Sequence, residues 1–191
     1  RALGQELHKS LGQPVVVENK PGANTVVGGQ ACAQAAPDGY TICLLAVDTL
    51  SNAPWLTKSL GYDPERSFAP ITNAFFLTEA FVVHPQLPVH SLQELIALSK
   101  AKPGTLNYAT PAHGVTLFME KFKQVTGADI NMVPYRGGGD AVTAVVSGQV
   151  QVGYFGMGNN MGQLKGGAMK PLAVDGKRRS PHLPDVPTLA E

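Results

Sequence analysis

The chain has 191 residues, 43% of them hydrophobic, and a formal net charge of +1. That length can bury a core without metal or disulfide staples, and that composition excludes intrinsic disorder. The near-neutral balance excludes the concentrated basic face of a nucleic-acid binder, because the one basic cluster, Lys177 to Arg179 with His182 close by, is short enough to be a solvated turn.

In chain order, Ala2 to Leu11 reads as a helix stopped by Gly12. Val15 to Glu18 is a short β-branched strand, 19–24 a loop and 25–36 a small-residue helix. Pro37-Asp38-Gly39 is a turn, and Tyr40 to Ala46 is an apolar run of the kind buried on both faces of a sheet. Residues 48–63 are irregular. A second series of units begins near Thr78. It comprises a strand at 81–84, a helix from Leu92 opened by the capping box Ser91-Leu92-Gln93-Glu94, and a strand at 106–109. A helix at 115–126, a strand at 130–133 and a helix capped by Asp140 and running to Ser147 follow. The series ends with a strand at 150–154, a short helix at 161–165 and a strand at 172–174. Strands alternating with helices predict an α/β fold with a parallel, doubly wound sheet. The division near Thr78 predicts a first lobe at 1–78 and a second at 79–191, the first short of strands. No apolar run is long enough to span a bilayer.

Three loops share one grammar of strand, small residues and helix start: Asn19 to Thr25, Ala109 to Thr116, and Tyr135 to Asp140. In α/β sheets such loops gather at the carboxyl ends of parallel strands, where ligands bind. A helix N-terminus offers unpaired N–H groups and partial positive charge, which suit a carboxylate. Thr110 and Thr116 add hydroxyl donors. Arg136 could grip a carboxylate with two parallel hydrogen bonds or simply be an exposed arginine at a strand end. Each loop taken alone also fits an ordinary strand-to-helix connection.

Motifs for chemistry are missing. There is no G-x-S-x-G elbow and no phosphate-binding G-x-x-x-x-G-K-[ST] loop, and Gly156-Met157-Gly158 lacks a third glycine. His8, His84, His90 and His182 have no partners at metal-ligand spacing. His113 lies in a candidate anion loop but has no nucleophile near it in sequence beyond the two threonines. Cys32 and Cys43 match no zinc or redox spacing, and two readings stay open: buried inert thiols, or a disulfide between a helix and the next strand. No cofactor and no metal is expected.

Several stretches resemble one family. They are Val15-Val16-Val17-Glu18-Asn19-Lys20-Pro21-Gly22-Ala23, Pro37-Asp38-Gly39-Tyr40-Thr41, Leu106-Asn107-Tyr108-Ala109-Thr110 with Gly114, Val133-Pro134-Tyr135-Arg136-Gly137, and Arg179 to Thr188. In this order, over the whole length, they are similar to the substrate-binding receptors of tripartite tricarboxylate transporters, the Bug family. The resemblance implies a type II periplasmic-binding-protein fold, with two doubly wound lobes joined by a hinge and closing on a small carboxylate. It implies a monomeric receptor in the periplasm that hands its ligand to membrane permease subunits. It also implies that a signal peptide and a first strand with a glycine-rich ligand loop precede Arg1, and that a segment returning to the first lobe follows Glu191. The first lobe is thus incomplete in this chain. By similarity, ligand contacts fall at Gly22, Ala23 and Asn24, and at Thr110, Ala112, His113, Gly114, Val115 and Thr116.

The chain departs from the family at two positions. Many members carry Lys where Arg136 stands, and many carry Asp where this chain has Phe155. If Phe155 faces the cleft, the receptor discriminates against ligands with an ammonium group, since a ring is a poor substitute for a carboxylate partner. If alternation puts it on the other face, Phe155 belongs to the core. Two other functions compete with a receptor: an enzyme acting on a carboxylate through His113, and a regulatory ligand-sensing domain on the same scaffold.

Overall fold

The computed structural model describes residues 1–191. Helix α1 spans Ala2–Leu11 and ends as expected at Gly12, whose φ of 66° lets its N–H reach the His8 carbonyl at 2.9 Å. A 3-10 turn at Ala23–Thr25 leads into α2, Val26–Ala33. Two short helices follow, α3 at Val47–Ser51 and α4 at Ala53–Leu56. Cys32 and Cys43 form a disulfide with a Cα–Cα distance of 6.1 Å, which decides between the two readings of these thiols.

The runs 15–18 and 40–46, expected as strands, are not paired in a ladder. Their apolar residues stay open, with Val16 83% and Tyr40 93% exposed. Apolar, β-branched composition favours a sheet only where neighbouring strands supply hydrogen bonds, and none lies beside these two runs.

All five strands lie beyond Thr78: β1 Glu79–Val83, β2 Asn107–Thr110, β3 Asn131–Pro134, β4 Val152–Gly156 and β5 Lys170–Val174. Their order in the sheet is β3-β2-β4-β1-β5. The expectation of a wholly parallel sheet is corrected by β1. β2 runs parallel to β3 and β4, whereas β1 is antiparallel to both β4 and β5. The chain inserts β1 between two strands that are themselves linked by α8, Met157–Lys165. A strand buried on both faces reads as an unbroken apolar run whichever way it points, so its direction is not written in its pattern.

Both faces are covered. On one, Phe81, Val83, Tyr108, Val152 and Tyr154 pack with Leu95 of α5 (Leu92–Ala101) and with Val115 and Met119 of α6 (His113–Thr126). Phe118 stacks on Tyr154 at 4.0 Å, and Phe122 approaches Phe81 at 5.0 Å. On the other face, Ala80, Val82 and Phe155 pack with Ala141, Ala144 and Val145 of α7 (Gly138–Val146) and with Leu164 of α8. The Ser91 hydroxyl accepts the Glu94 N–H at 3.1 Å, as the capping box predicts. Asp140, expected as a cap, instead lies within the first turn of α7, whose N-cap is Gly137. Near the C-terminus Arg179 clasps Glu191, so part of the basic cluster is ion-paired.

Candidate functional site

The carboxyl ends of β2, β3, β4 and β5 lie along one edge of the sheet, joined there by the amino end of β1. Thr110 closes β2, and after Pro111 and Ala112 helix α6 starts at His113. Fourteen residues of aligned peptides stand behind that N-terminus. The N–H groups of His113, Gly114 and Val115 have no partner inside the helix, which begins its own ladder with the Thr116 N–H on the Ala112 carbonyl. No side chain of α6 caps them.

One of these groups is taken by a residue distant in sequence. The Gly114 N–H donates to the Asp48 carboxylate at 3.0 Å, across 66 positions. Asp48 lies in the short helix α3, is 7% exposed, and also accepts from the Asn52 amide. Next to it, the Thr49 hydroxyl donates to the Thr25 hydroxyl at 2.9 Å, and the Tyr62 hydroxyl donates to the Thr49 carbonyl at 2.6 Å. Helix α3 therefore bridges the loop at 22–25 to the N-terminus of α6. The third loop joins the same edge, with the Tyr135 N–H donating to the Thr110 carbonyl at 2.9 Å.

The loop at 22–25 is strained. Ala23, Asn24 and Thr25 have φ values of 45°, 50° and 77°, and Gly22 has a φ of 128°. Three consecutive residues with side chains in the left-handed region are held there only where surroundings over-determine them, and such strain gathers at binding sites. Ala23 is exposed, while Gly22 and Asn24 are half-buried.

The other expected contacts divide. Ala112, His113 and Gly114 are half-buried at the helix entrance, and His113 has no side-chain hydrogen bond within the chain. The Val115 side chain enters the core, leaving only its backbone for a ligand. The Thr110 and Thr116 hydroxyls lie 2.9 Å apart, and both reach the Ala112 carbonyl, at 3.0 and 3.3 Å. They brace the loop instead of standing free to donate outward, as the sequence reading had them. Removing the Thr110 hydroxyl should accordingly cost stability, by about 1 kcal/mol, since it leaves buried partners short of a bond. Denaturant melts of Thr110→Ala check this, and an unchanged midpoint would show the bracing to be idle.

Arg136 is exposed and joins no ion pair. Phe155 turns away from the edge. It is 5% exposed within the core formed with α7 and α8, its ring lying where a Cβ on Gly153 would sit. The one-residue alternation of β4 sends Tyr154 to one face and Phe155 to the other, so Phe155 is corrected from a cleft residue to a core residue.

Three acids at this edge escaped the sequence reading. Besides Asp48 they are Glu79, which opens β1, and Asp175, which follows β5. The Glu79 N–H donates to Asp175 at 2.8 Å, and the Asp175 N–H to the Glu79 carbonyl at 2.9 Å. Burial, then the charges of Asp175 and Asp48, push the Glu79 carboxyl from its ordinary 4.5 up to about 7. Burial, followed by the charges of Asp175 and Glu79, also raises the Tyr154 hydroxyl. A signal for Asp48 existed. It lies two residues past the apolar run ending at Ala46, in the first turn of a helix, a grammar close to that of the other three loops.

The raised Glu79 carboxyl has a consequence for stability. Between about pH 4.5 and 7 the folded chain holds a proton that the unfolded chain has released, so stability falls as pH rises through that window. Discounted for the solvent that reaches this half-buried group, the loss is on the order of 1 kcal/mol. Glu79→Gln should flatten the melting temperature between pH 5 and pH 8. An unchanged pH dependence in that variant would place the effect elsewhere.

Comparison with known proteins agrees with this architecture. The chain matches the tripartite tricarboxylate transporter family receptor model over residues 1–191. It is 38% identical to protein BugT of Bordetella pertussis, over 100% of this chain and 60% of that protein. The Rhodopseudomonas palustris protein Rpa4515, solved with adipate, superposes with a TM-score of 0.95 at 29% identity, over 100% of this chain and 64% of that one. MatC from the same organism, solved with malate, superposes with a TM-score of 0.89 at 29% identity, over 98% of this chain and 65% of that one. The chain thus spans about 60% of the length of the relative BugT. With the family model matched from end to end and the same fold in solved members, the chain belongs to the tripartite tricarboxylate transporter receptor family.

Proposed function

We propose that this chain is the ligand-capturing part of an extracytoplasmic receptor that holds a small carboxylate at the N-terminus of α6 and performs no chemistry on it. The observation that carries the reading is the geometry of that N-terminus. It is a long helix without its own cap, opening on the sheet edge, and the Gly114 N–H already binds a carboxylate, that of Asp48. Relatives solved with adipate and malate support the same ligand class. Residues 1–78 belong to one lobe and 79–191 to the other, with the cleft between α3 and the 22–25 loop on one side and the α6 entrance on the other. Gly22, Ala23 and Asn24 then face Ala112, His113, Gly114, Val115 and Thr116, which contact the ligand mainly through backbone and ordered water.

The receptor works in the periplasm and delivers its ligand to membrane permease subunits. No helix of the chain is long and apolar enough to cross a membrane. Membership in a receptor family argues against the enzymatic reading, and His113 has no hydrogen-bonded nucleophile to activate. Micromolar affinity corresponds to about −8 kcal/mol, within reach of several backbone hydrogen bonds in a closed cleft. Calorimetry of the full-length receptor against adipate, malate, succinate and glutamate tests the reading. Saturable heat with at least one acid is expected, and no heat with any of them would overturn it.

A further inference from the structure

We propose that Asp48 is a built-in competitor for the carboxylate site, its side chain occupying the α6 N-terminus that a ligand carboxylate must take. This rests on the proposed function and adds to it an autoinhibitory contact within the chain.

The contact has the marks of a fitted one. The Asp48 carboxylate is almost fully buried and is held from both sides, by the Gly114 N–H and by the Asn52 amide. The fit depends on glycine, since a Cβ at position 114 would lie 2.9 and 3.2 Å from the two carboxylate oxygens. Asp48 joins none of the ion pairs of the chain, which involve Lys9, Lys20, Arg66, Lys123 and Arg179. A buried carboxylate without a cation needs hydrogen-bond donors and a partial positive charge, and the α6 N-terminus supplies both.

The nearby ionisable groups make sharing unfavourable. Glu79 and Asp175 lie on the same edge, and the Asp48 charge is one of the causes that raise the Glu79 carboxyl. A ligand carboxylate arriving at the N–H of Gly114 would bring another negative charge directly against the buried Asp48 carboxylate, and like charges at such distances repel. Binding therefore requires Asp48 to turn out of the site. Without ligand, Asp48 keeps the Gly114 N–H occupied, and the measured affinity is the intrinsic one reduced by the occupancy of Asp48.

The test is calorimetry of adipate and malate binding to the full-length receptor and to its Asp48→Ala and Asp48→Asn variants, at one pH and one salt concentration. A charge-assisted hydrogen bond is worth enough that its loss should tighten binding by roughly tenfold in Asp48→Ala. Asp48→Asn keeps the size but not the charge, should gain less, and guards against a folding defect in the alanine variant. Equal or weaker binding in both variants overturns the competitor and makes Asp48 a structural or ligand-holding residue. Absence of binding by wild type and variants alike overturns the carboxylate reading itself, which separates the two failures.

Discussion

Replacing Gly114 by Val in the full-length receptor should weaken carboxylate binding by roughly 100-fold. Its first side-chain carbon would enter the space now held by the Asp48 oxygens, at 2.9 and 3.2 Å, and its methyl groups would cover the N–H donors beside it. The loss of two or three charge-assisted hydrogen bonds, each worth about 1.5–3 kcal/mol, exceeds any gain from expelling Asp48. Folding should survive, because Gly114 lies at the helix entrance and is only half-buried. Calorimetry with adipate, beside a thermal melt, separates the two effects. Binding within threefold of wild type would show that the ligand does not use this helix end.

The largest loss of stability is expected at Phe81. This ring is fully buried in the middle of β1 and meets Phe118, Phe122 and Tyr154. It ties α6, and hence the candidate anion site, to the sheet. Phe81→Ala should cost about 3–5 kcal/mol, from lost burial and from the cavity left among rings that cannot collapse. In a protein of this size that is a fall of about 10 °C or more in melting temperature. Phe81→Leu should recover most of it, since it refills the volume. A melting temperature within 2 °C of wild type for the alanine variant would mean that α6 is held by other contacts.

The elements of the sheet unit were legible because their causes are local. The runs at 106–109, 130–133, 150–154 and 172–174 each mark a strand within two residues of its observed bounds, since each is a short stretch rich in apolar and β-branched or aromatic residues set between helices. Ser91 and Glu94 mark the start of α5 for the same kind of reason, a cap that needs only four residues. What local pattern does not carry is partnership. The run at 40–46 has the composition of a strand yet has no neighbour to pair with, and β1 carries the composition of a parallel strand yet runs the other way. Phe155 was open to two readings because alternation turns on a single residue, and the empty side of Gly153 settles it toward the core.

The candidate site was legible by halves. Glycine and small residues after strands pointed to the helix N-termini, and the resemblance pointed to the same positions. The sequence also suggested that Thr110 and Thr116 would offer their hydroxyls, but two hydroxyls close to one carbonyl satisfy each other first. The acids were missed for a physical reason. Asp48, Glu79 and Asp175 are far apart in the chain: β1, entering between β4 and β5, brings Glu79 to Asp175, and α3 brings Asp48 to the same edge at the start of α6.

The most direct measurement is a crystal structure of the full-length receptor grown with saturating adipate. One carboxylate of the acid is expected about 3 Å from the N–H groups of Gly114 and Val115, with the strained 22–25 loop closing over it. Adipate bound elsewhere, with the α6 N-terminus untouched by ligand, would contradict the account.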